Sequence, residues 1–175
     1  MTVLRSATLS DAKAVAQLHA LSWQHSYRDV LSDDYLKHRV LPERLAAWEK
    51  KFALADEHFF VYLAEEEGHL MGFIYIVGSE HPRWGSLLDN LHVHPDAKGK
   101  GVGKLLMRAG AKWVAERYNP PQMHLIVFES NRAACGFYEY LGGEVAERLE
   151  QPMPDGKLVP SIRYHWSDVN LALNT

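Results

Sequence analysis

One short segment limits what this chain can fold into. Residues 94–104 read HPDAKGKGVGK, with Gly99, Gly101 and Gly103 at alternate positions; an apolar run precedes them and a helical pattern follows. Glycines without side chains let successive backbone N–H groups converge, and the N-terminus of a helix adds partial positive charge. The segment therefore predicts a strand, an anion-binding loop and a helix in direct succession.

Two common phosphate-binding motifs are excluded by their spacing. A Walker loop requires a glycine and a Ser or Thr where this chain has Lys98 and Leu105. A dinucleotide fingerprint requires its third glycine where Lys104 stands. The remaining interpretation is a phosphate site of main-chain amides, with Lys98, Lys100 and Lys104 around it. The alternative is a glycine-rich turn with solvated lysines.

Composition limits the class of protein. A length of 175 residues predicts one domain over residues 1–175. A net charge of −3 gives no general attraction to nucleic acid or to an anionic membrane, so neither partner is expected. The single cysteine, Cys135, excludes an internal disulfide and fits a reducing compartment. Because no run approaches about 18 apolar residues, a cytoplasmic protein is expected.

Hydrophobic periodicity predicts an α/β (α+β) fold, with helices around a mixed sheet of six or seven strands. Glu66, Glu67 and Gly68 are typical of a hairpin turn. Helices are predicted over residues 12–29, 32–39, 42–55, 105–118 and 131–143. Strands are predicted over residues 3–8, 58–67, 69–78, 86–94, 123–128, 144–150 and 161–166. The expected apolar face of the fourth helix is Leu105, Leu106, Ala109, Trp113 and Val114.

The order of these segments, with KGKGVG at 98–103 and SNRAACGFYEYLGG at 130–143, resembles the GNAT superfamily of acetyl-CoA-dependent N-acetyltransferases over residues 1–166. The resemblance implies a central, mixed, mostly antiparallel sheet flanked by helices. Gly101 and Gly103 match the loop signature of that family, whereas Lys98 keeps the charge but lacks the fork of an arginine. The segment SWQHSYRDVLSDDYL resembles a broad bacterial subgroup with varied acceptors.

The resemblance also implies where acetyl-CoA binds. Its pyrophosphate would lie on the amides of residues 99–104, and its pantetheine arm along strand 87–93. The N–H of Val93 would polarise the acetyl carbonyl. Asn131 corresponds to a CoA-contacting residue, and its alternative role is a helix N-cap. The expected cofactor contacts are Leu91, His92, Val93, Lys98, Gly99, Lys100, Gly101, Val102, Gly103, Lys104, Asn131 and Tyr138.

Three catalytic roles follow from the same resemblance. Tyr138 stands at the general-acid position, and its alternative role is packing of a buried helix. Leu87 stands where many relatives carry a carboxylate, so Asp89, two residues later on the same strand face, is the predicted base. The alternative for Asp89 is a local hydrogen bond. Val93 completes the set through its main chain.

The acceptor side is predicted from aromatic and acidic residues. Trp23, Tyr27 and Tyr35 are the expected substrate contacts, with core packing as the alternative. Acidic residues nearby favour a cationic amine, unless they form a solvated turn; they are Asp29, Asp33 and Asp34.

Two further sites are not favoured. His92 and His94 lack a third ligand at suitable spacing, so we expect polar surface histidines and no metal. Cys135 has no histidine and aspartate partners in the sequence, so we expect it to pack inside a helix layer.

The predicted function is N-acetyl transfer from acetyl-CoA to a primary amine, of a small molecule or a peptide, by direct attack in a ternary complex. The alternative is a non-catalytic acyl-CoA-binding or sensing module. Edge strands near the C-terminus make a homodimer possible.

Overall fold

The computed structural model describes residues 1–54 and 56–174. The chain forms two compact units. Unit 1 contains residues 1–75 and 90–106, and unit 2 contains residues 76–89 and 107 to the C-terminus. The single domain over residues 1–175 stays a prediction.

Residues 1–54 and 56–174 form seven strands and five α-helices. The strands are β1 Val3–Ser6, β2 Phe59–Glu66, β3 His69–His81, β4 Gly85–Val93, β5 Met123–Phe128, β6 Glu144–Pro152 and β7 Leu158–Trp166. The helices are α1 Ala12–Ser26, α2 Val40–Ala53, α3 Val102–Arg117, α4 Arg132–Tyr140 and α5 Asn170–Leu173. The sheet order is β1-β2-β3-β4-β5-β7-β6, and β4 runs parallel to β5. The predicted mixed, mostly antiparallel sheet is confirmed.

Unit 1 begins with two antiparallel pairings. β1 pairs with β2, and the predicted hairpin between β2 and β3 turns through left-handed Glu67 and Gly68, with φ of 52° and 79°. The Arg5 guanidinium bonds Asp11 at 2.8 Å and Glu65 at 2.7 Å. This arginine therefore ties β1 to its neighbouring strand and to the segment that enters α1.

Helices α1 and α2 cover one face of this part of the sheet. Trp48 of α2 and His19 of α1 both meet the ring of Phe73, with centroids 5.3 and 5.8 Å apart. Leu21 of α1 is 38% exposed and lies outside the buried face of that helix. Ser32 caps the next helical stretch, because its Oγ accepts from the Tyr35 amide at 3.2 Å.

Two of the predicted helices are one helical stretch. A π-helical segment, Tyr35–Arg39, leads directly into α2. Pro42 is the third residue of α2 and lies inside this continuous stretch, where it has no N–H to donate to the preceding turn. Residue 55, at the end of the predicted second helix, lies outside the described residues.

Helix α3 starts three residues before the predicted helical pattern. Leu106, Trp113 and Val114 are buried as predicted, but Leu105 is 38% exposed. The buried face is completed by Met107, which the expected stripe omitted. In the described part of the chain, no helix is long and apolar enough to cross a membrane.

Unit 2 is built on β5, β6 and β7. β7 pairs antiparallel with both β5 and β6, and the β6–β7 turn contains left-handed Gly156, with φ of 84°. Asn131 caps α4 through its side chain, which accepts from the Ala134 amide at 3.2 Å. Gly142 and Gly143 close the helix as predicted, donating to carbonyls of its last turn.

Candidate active site

The glycine loop has the backbone that its sequence predicts. Gly99 and Gly101 have φ of +75° and +81°, the left-handed region that glycine adopts without strain. The Leu105 N–H donates to the Gly101 carbonyl at 3.0 Å. Since α-helical bonds run to the fourth preceding carbonyl, the amides of residues 102–104 lie ahead of the helical ladder, whereas the Lys100 amide donates to the Ala97 carbonyl at 3.3 Å. These amides form the N-terminal end of α3.

Positive charge surrounds this helix end. Lys98 and Lys100 are exposed, and Lys104 is half-buried in the first turn of α3. That first turn carries no acidic residue. Amides at a helix N-terminus and three lysines favour a phosphate-type anion. The predicted contacts over residues 98–104 therefore form one continuous segment of unit 1.

The end of β4 directs one amide away from β3. The His94 N–H donates to the Met71 carbonyl of β3 at 2.8 Å. Successive amides of a strand point to opposite sides, so the Val93 N–H points away from β3. Gly72 lies close by, because a Cβ on it would stand 3.0 Å from the His92 carbonyl oxygen. Leu91 and Val93 are both half-buried.

The His92 side chain packs inside unit 1. Its Nδ1 lies 2.8 Å from the Ser22 Oγ of α1. Its ring centroid lies 4.4 Å from that of His19 and 5.4 Å from that of Phe73. His92 is half-buried, and the β4 pleat turns its ring towards α1. His94 has a local role instead, since its Nδ1 accepts from the Asp96 amide at 3.2 Å.

His19 is a buried histidine with one unused nitrogen. The Trp48 Nε1–H donates to its Nδ1 at 3.0 Å, so the ring proton of the neutral form is on Nε2. Nε2 has no hydrogen-bond partner among the described residues, and the residue is 2% exposed. Burial, and then the charges of His92, Arg44 and Lys51, hold the pKa of His19 well below its usual range. His19 is therefore neutral at pH 7.

An aromatic and cationic group continues from His19. The Trp23 ring meets His19 edge-on at 5.2 Å and Tyr27 at 5.5 Å. The Arg44 Cζ lies 4.8 Å from the centre of the Trp23 ring. Its Nε is buried and has no hydrogen-bond partner among residues 1–54 and 56–174. Burial raises the pKa of Tyr27 to about 12, so its hydroxyl stays protonated.

The other predicted acceptor-side residues lie elsewhere in unit 1. Tyr35 is 2% exposed, and its hydroxyl donates to Glu43 Oε2 at 2.6 Å. This placement supports the alternative of core packing for Tyr35. The acidic residues of the predicted cationic-amine site are all exposed: Asp29 lies in a turn, and Asp33 and Asp34 lie at the start of the helical stretch that continues into α2.

The predicted residues of unit 2 have clear local surroundings. Tyr138 is 8% exposed and meets Trp166 edge-to-face at 6.1 Å. Asp89 is exposed, and Leu87 is half-buried. Cys135 is buried as predicted, with its Sγ 3.8 Å from the Phe128 carbonyl oxygen. The catalytic and CoA-binding roles of Tyr138, Asp89 and Asn131 stay predictions.

No group of three His, Cys, Asp or Glu side chains suited to a metal is found in the described part of the chain.

Three residues near the candidate site were not identified from the sequence: Ser22, His19 and Arg44. A usable signal existed for the first two, because they are polar residues at core positions of an amphipathic helix.

The fold and the site together define a class of coenzyme A-dependent acyltransferases. The sheet is mostly antiparallel, a phosphate-type loop lies at a helix N-terminus, and the Val93 amide points away from β3. The chain belongs to the Acetyltransferase (GNAT) family, whose sequence profile matches residues 14–142.

Named relatives and a solved structure are similar over most of the chain. Uncharacterized N-acetyltransferase YuaI of Bacillus subtilis (strain 168) is 25% identical, over 84% of this chain and 83% of that protein. Peptidyl-lysine N-acetyltransferase YiaC of Escherichia coli (strain K12) is 27% identical, over 83% of this chain and 85% of that protein. The crystal structure of PaiA N-acetyltransferase from Thermoplasma acidophilum in complex with coenzyme A matches with a TM-score of 0.68 and 17% identity. It covers 92% of this chain and 98% of its own, and shows a shared fold.

The protein is therefore an acetyl-CoA-dependent acyltransferase. The predicted enzyme class is confirmed, and the alternative of a non-catalytic module is not favoured.

Proposed function

We propose that this enzyme transfers the acetyl group of acetyl-CoA to a primary amine of a small molecule or a peptide, by direct attack in a ternary complex. The observation that carries the proposal is the loop at residues 99–104, with its left-handed glycines, helix N-terminus and lysines. A diphosphate is the part of CoA that fits such a site. The name of YiaC, a peptidyl-lysine N-acetyltransferase, keeps peptides among the acceptors.

The thioester is held by main-chain groups in this proposal. The pantetheine arm runs along the end of β4 at Leu91 and Val93. The Val93 N–H donates to the acetyl carbonyl oxygen, which gains negative charge during attack. Its direction away from β3 supports this role, because the amide is not used by that strand pair.

The transfer forms one bond and breaks one. The amine nitrogen attacks the carbonyl carbon, the C–N bond forms, and the C–S bond breaks to release CoA. The amine gives its proton to a base, and the leaving sulfur is stabilised by the Tyr138 hydroxyl. A phenol of pKa about 10 facing a thiol of about 8.5 gives up its proton at a cost of about 2 kcal/mol, so Tyr138 acts mainly by hydrogen bonding.

A base is needed because an aliphatic amine of pKa about 10.4 is almost fully protonated at pH 7. Two side chains are candidates: exposed Asp89, predicted from the sequence, and His92, whose ring is fixed by Ser22. Asp89→Asn and His92→Gln, compared by the pH profile of kcat/KM, separate them. The variant that loses the acid limb of the profile identifies the base, and two unchanged profiles exclude both residues.

Acetyl-CoA binding is tested with two matched glycine variants. Gly101→Ala and Gly156→Ala each place an L-residue at a left-handed position with open space around it. We expect each to lose about 1 kcal/mol of stability, and only Gly101→Ala to weaken acetyl-CoA binding, by about tenfold in calorimetry. No binding by the unmodified enzyme, or equal affinities in both variants, contradicts the proposed loop.

Catalysis is tested by CoA release from acetyl-CoA with polyamines, amino acids, aminoglycosides and peptides. Tyr138→Phe should lower turnover by about ten- to a thousandfold while acetyl-CoA binding is kept. Unchanged turnover removes Tyr138 from the mechanism. If acetyl-CoA binds but CoA is released with none of these acceptors, transfer to a primary amine is contradicted.

We further propose a cytoplasmic enzyme that forms a homodimer. A buried cysteine as the only thiol suits a reducing compartment. β6 ends the sheet, and its Val145 is 48% exposed, so pairing between two copies would cover an apolar edge. Light scattering measures the mass in solution, and a monomer at assay concentration contradicts the dimer.

A further inference from the structure

Three side chains of unit 1 form what we call the donor cluster: His19, Trp23 and Arg44. The guanidinium of Arg44 lies over the Trp23 ring, and His19 meets the same ring edge-on. His19 Nε2 and Arg44 Nε are both buried donors without an acceptor among the described residues. A buried donor left unpaired costs about 1–3 kcal/mol. Two such donors, on residues that both contact the Trp23 ring, indicate that their acceptor comes from outside the chain.

The charge around the cluster is mainly positive. Arg44 forms no ion pair in the described part of the chain. Its neighbour Glu43, whose pKa the charge of Arg44 helps to lower, is already bonded to Tyr35 and Arg39. The charges of Arg44 and Lys51 also disfavour a proton on His19, which lowers its pKa. A positive field with spare N–H donors favours an anion and opposes a polyamine.

The cluster is connected to the proposed reaction centre within unit 1. His92 precedes Val93, whose amide holds the acetyl carbonyl in the proposed function. The ring of His92 lies 4.4 Å from the ring of His19, which contacts Trp23. An acceptor whose amine is near Val93 and whose anionic group is a few bonds away would reach the cluster.

We propose that the donor cluster binds the carboxylate of the acceptor, so that the enzyme acetylates an amino acid or a similar amino-carboxylic acid. A carboxylate presents two coplanar acceptor oxygens, which match the Nε–H and a neighbouring terminal N–H of a guanidinium. Trp23 supports the aliphatic or aromatic part of the acceptor. This inference rests on the proposed function for the reacting amine. It replaces the cationic acceptor predicted from the exposed acidic residues.

A binding experiment tests the cluster without turnover. The Nε–H signal of Arg44, assigned by its loss in Arg44→Lys, is followed by ¹H–¹⁵N NMR on the CoA complex. Matched pairs are titrated: L-lysine and cadaverine, L-phenylalanine and phenethylamine, L-methionine and 3-(methylthio)propylamine. We expect at least one carboxylate-bearing member to shift the signal saturably, and its decarboxylated partner to leave it unchanged.

Kinetics provide the second readout. For the amino acid that binds, Arg44→Gln should raise its KM by about 10- to 100-fold, with the KM for acetyl-CoA unchanged and kcat within about threefold. Arg44→Lys should recover part of the loss. Lys50→Gln, an exposed charge on α2, is the control and should behave as the unmodified enzyme. Thermal unfolding of each variant verifies that it is folded.

The outcomes separate this inference from the proposed function. Equal binding or acetylation of both members of every pair overturns the carboxylate site while acetyl transfer stands. The absence of any shift in Arg44 with all six compounds overturns it as well. A failure to bind acetyl-CoA overturns the proposed function, and the same titration on the CoA-free protein then decides the donor cluster by itself.

Discussion

Two buried histidines, one in each unit, differ in how completely they are bonded. His124 of unit 2 is 1% exposed; the Arg163 guanidinium donates to its Nδ1 at 2.6 Å, so its Nε2–H faces Glu80 Oε2 at 3.1 Å. His19 of unit 1 is equally buried but bonds through one nitrogen. Both ring nitrogens of His124 have partners, as is usual for a structural residue. His19 keeps one unpaired donor, Nε2, in the unit that carries the glycine loop.

His165 of unit 2 resembles His19 in one respect. Its buried Nε2 has no partner among the described residues, and its half-buried ring lies edge-on to Trp84. What distinguishes His19 is therefore the second unpaired donor beside it, on Arg44. A pair of donors on one indole is a better indicator of a binding site than a single unpaired atom.

The largest expected effect is on stability. His124→Leu leaves Arg163 and Glu80 without their ring partner, and we expect a loss of about 3 kcal/mol in the free energy of unfolding. His19→Leu removes the unpaired Nε2–H but leaves the buried Trp48 Nε1–H unpaired in its place, so these two changes largely offset and we expect a loss of about 1 kcal/mol. Urea unfolding at pH 7.5 measures both. Equal losses would break the comparison.

The next effect is the pH dependence of stability. Burial lowers the pKa of His124 to about 4, against the opposing effect of the hydrogen bond that the ring donates to Glu80. The unfolded chain, with a histidine pKa near 6.5, takes up the proton first. Stability therefore falls as pH falls below about 6.5, by about 2 kcal/mol from this residue at pH 5. His124→Gln should remove that part of the slope in urea unfolding at pH 7 and pH 5.

A smaller effect tests whether unit 1 is poorly bonded in general. The hydrogen bond from Arg5 holds the pKa of Asp11 well below its usual range. Asp11→Asn should cost about 1.5 kcal/mol at pH 7, allowing for the solvent around Arg5. The Asp11 contribution is complete above about pH 4, where the unfolded carboxyl is ionised, and is lost as pH falls further. If Asp11→Asn leaves the free energy of unfolding unchanged at pH 7, polar pairs other than that of His19 also contribute little in unit 1.

The smallest expected effect is a matched pair of tyrosines. Tyr35 of unit 1 donates to Glu43, and Tyr164 of unit 2 donates to Glu139, each at 2.6 Å. Tyr35→Phe and Tyr164→Phe should each lower the free energy of unfolding by about 1 kcal/mol, measured in urea. Similar values sharpen the comparison, because they confine the difference between the units to the histidines. A difference above about 2 kcal/mol contradicts it.

Local patterns predicted most elements of the fold. The hairpin at residues 66–68 was predictable because Gly68 supports a left-handed turn between two β-branched runs. The exposure of Leu105 was not predictable, because it depends on which side of α3 the sheet covers. The joining of two predicted helices into one was also missed, since the π-helical segment Tyr35–Arg39 is a widened turn without a sequence signal of its own.

The candidate site was predicted in its main-chain part and missed in its side-chain part. The glycine loop carries its own signal in residues 99–103. The donor cluster joins residues of α1 and α2 that are 25 positions apart in sequence, His19 and Arg44, as their shared contact with Trp23 shows. Such long-range contacts arise only when both helices pack on the sheet. For the same reason the contacts of His92 with Ser22 and His19 were not predicted.

The open space around Gly99 and Gly101 has a consequence for how this loop tolerates change. A side chain at either position has room, so the barrier to substitution is the handedness of the backbone rather than volume. Asparagine and aspartate enter that conformation at less cost than other L-residues, whereas β-branched residues are the most strongly opposed. For the fold of the loop, substitution at these two positions is therefore limited by backbone handedness, and asparagine is among the replacements that strain it least.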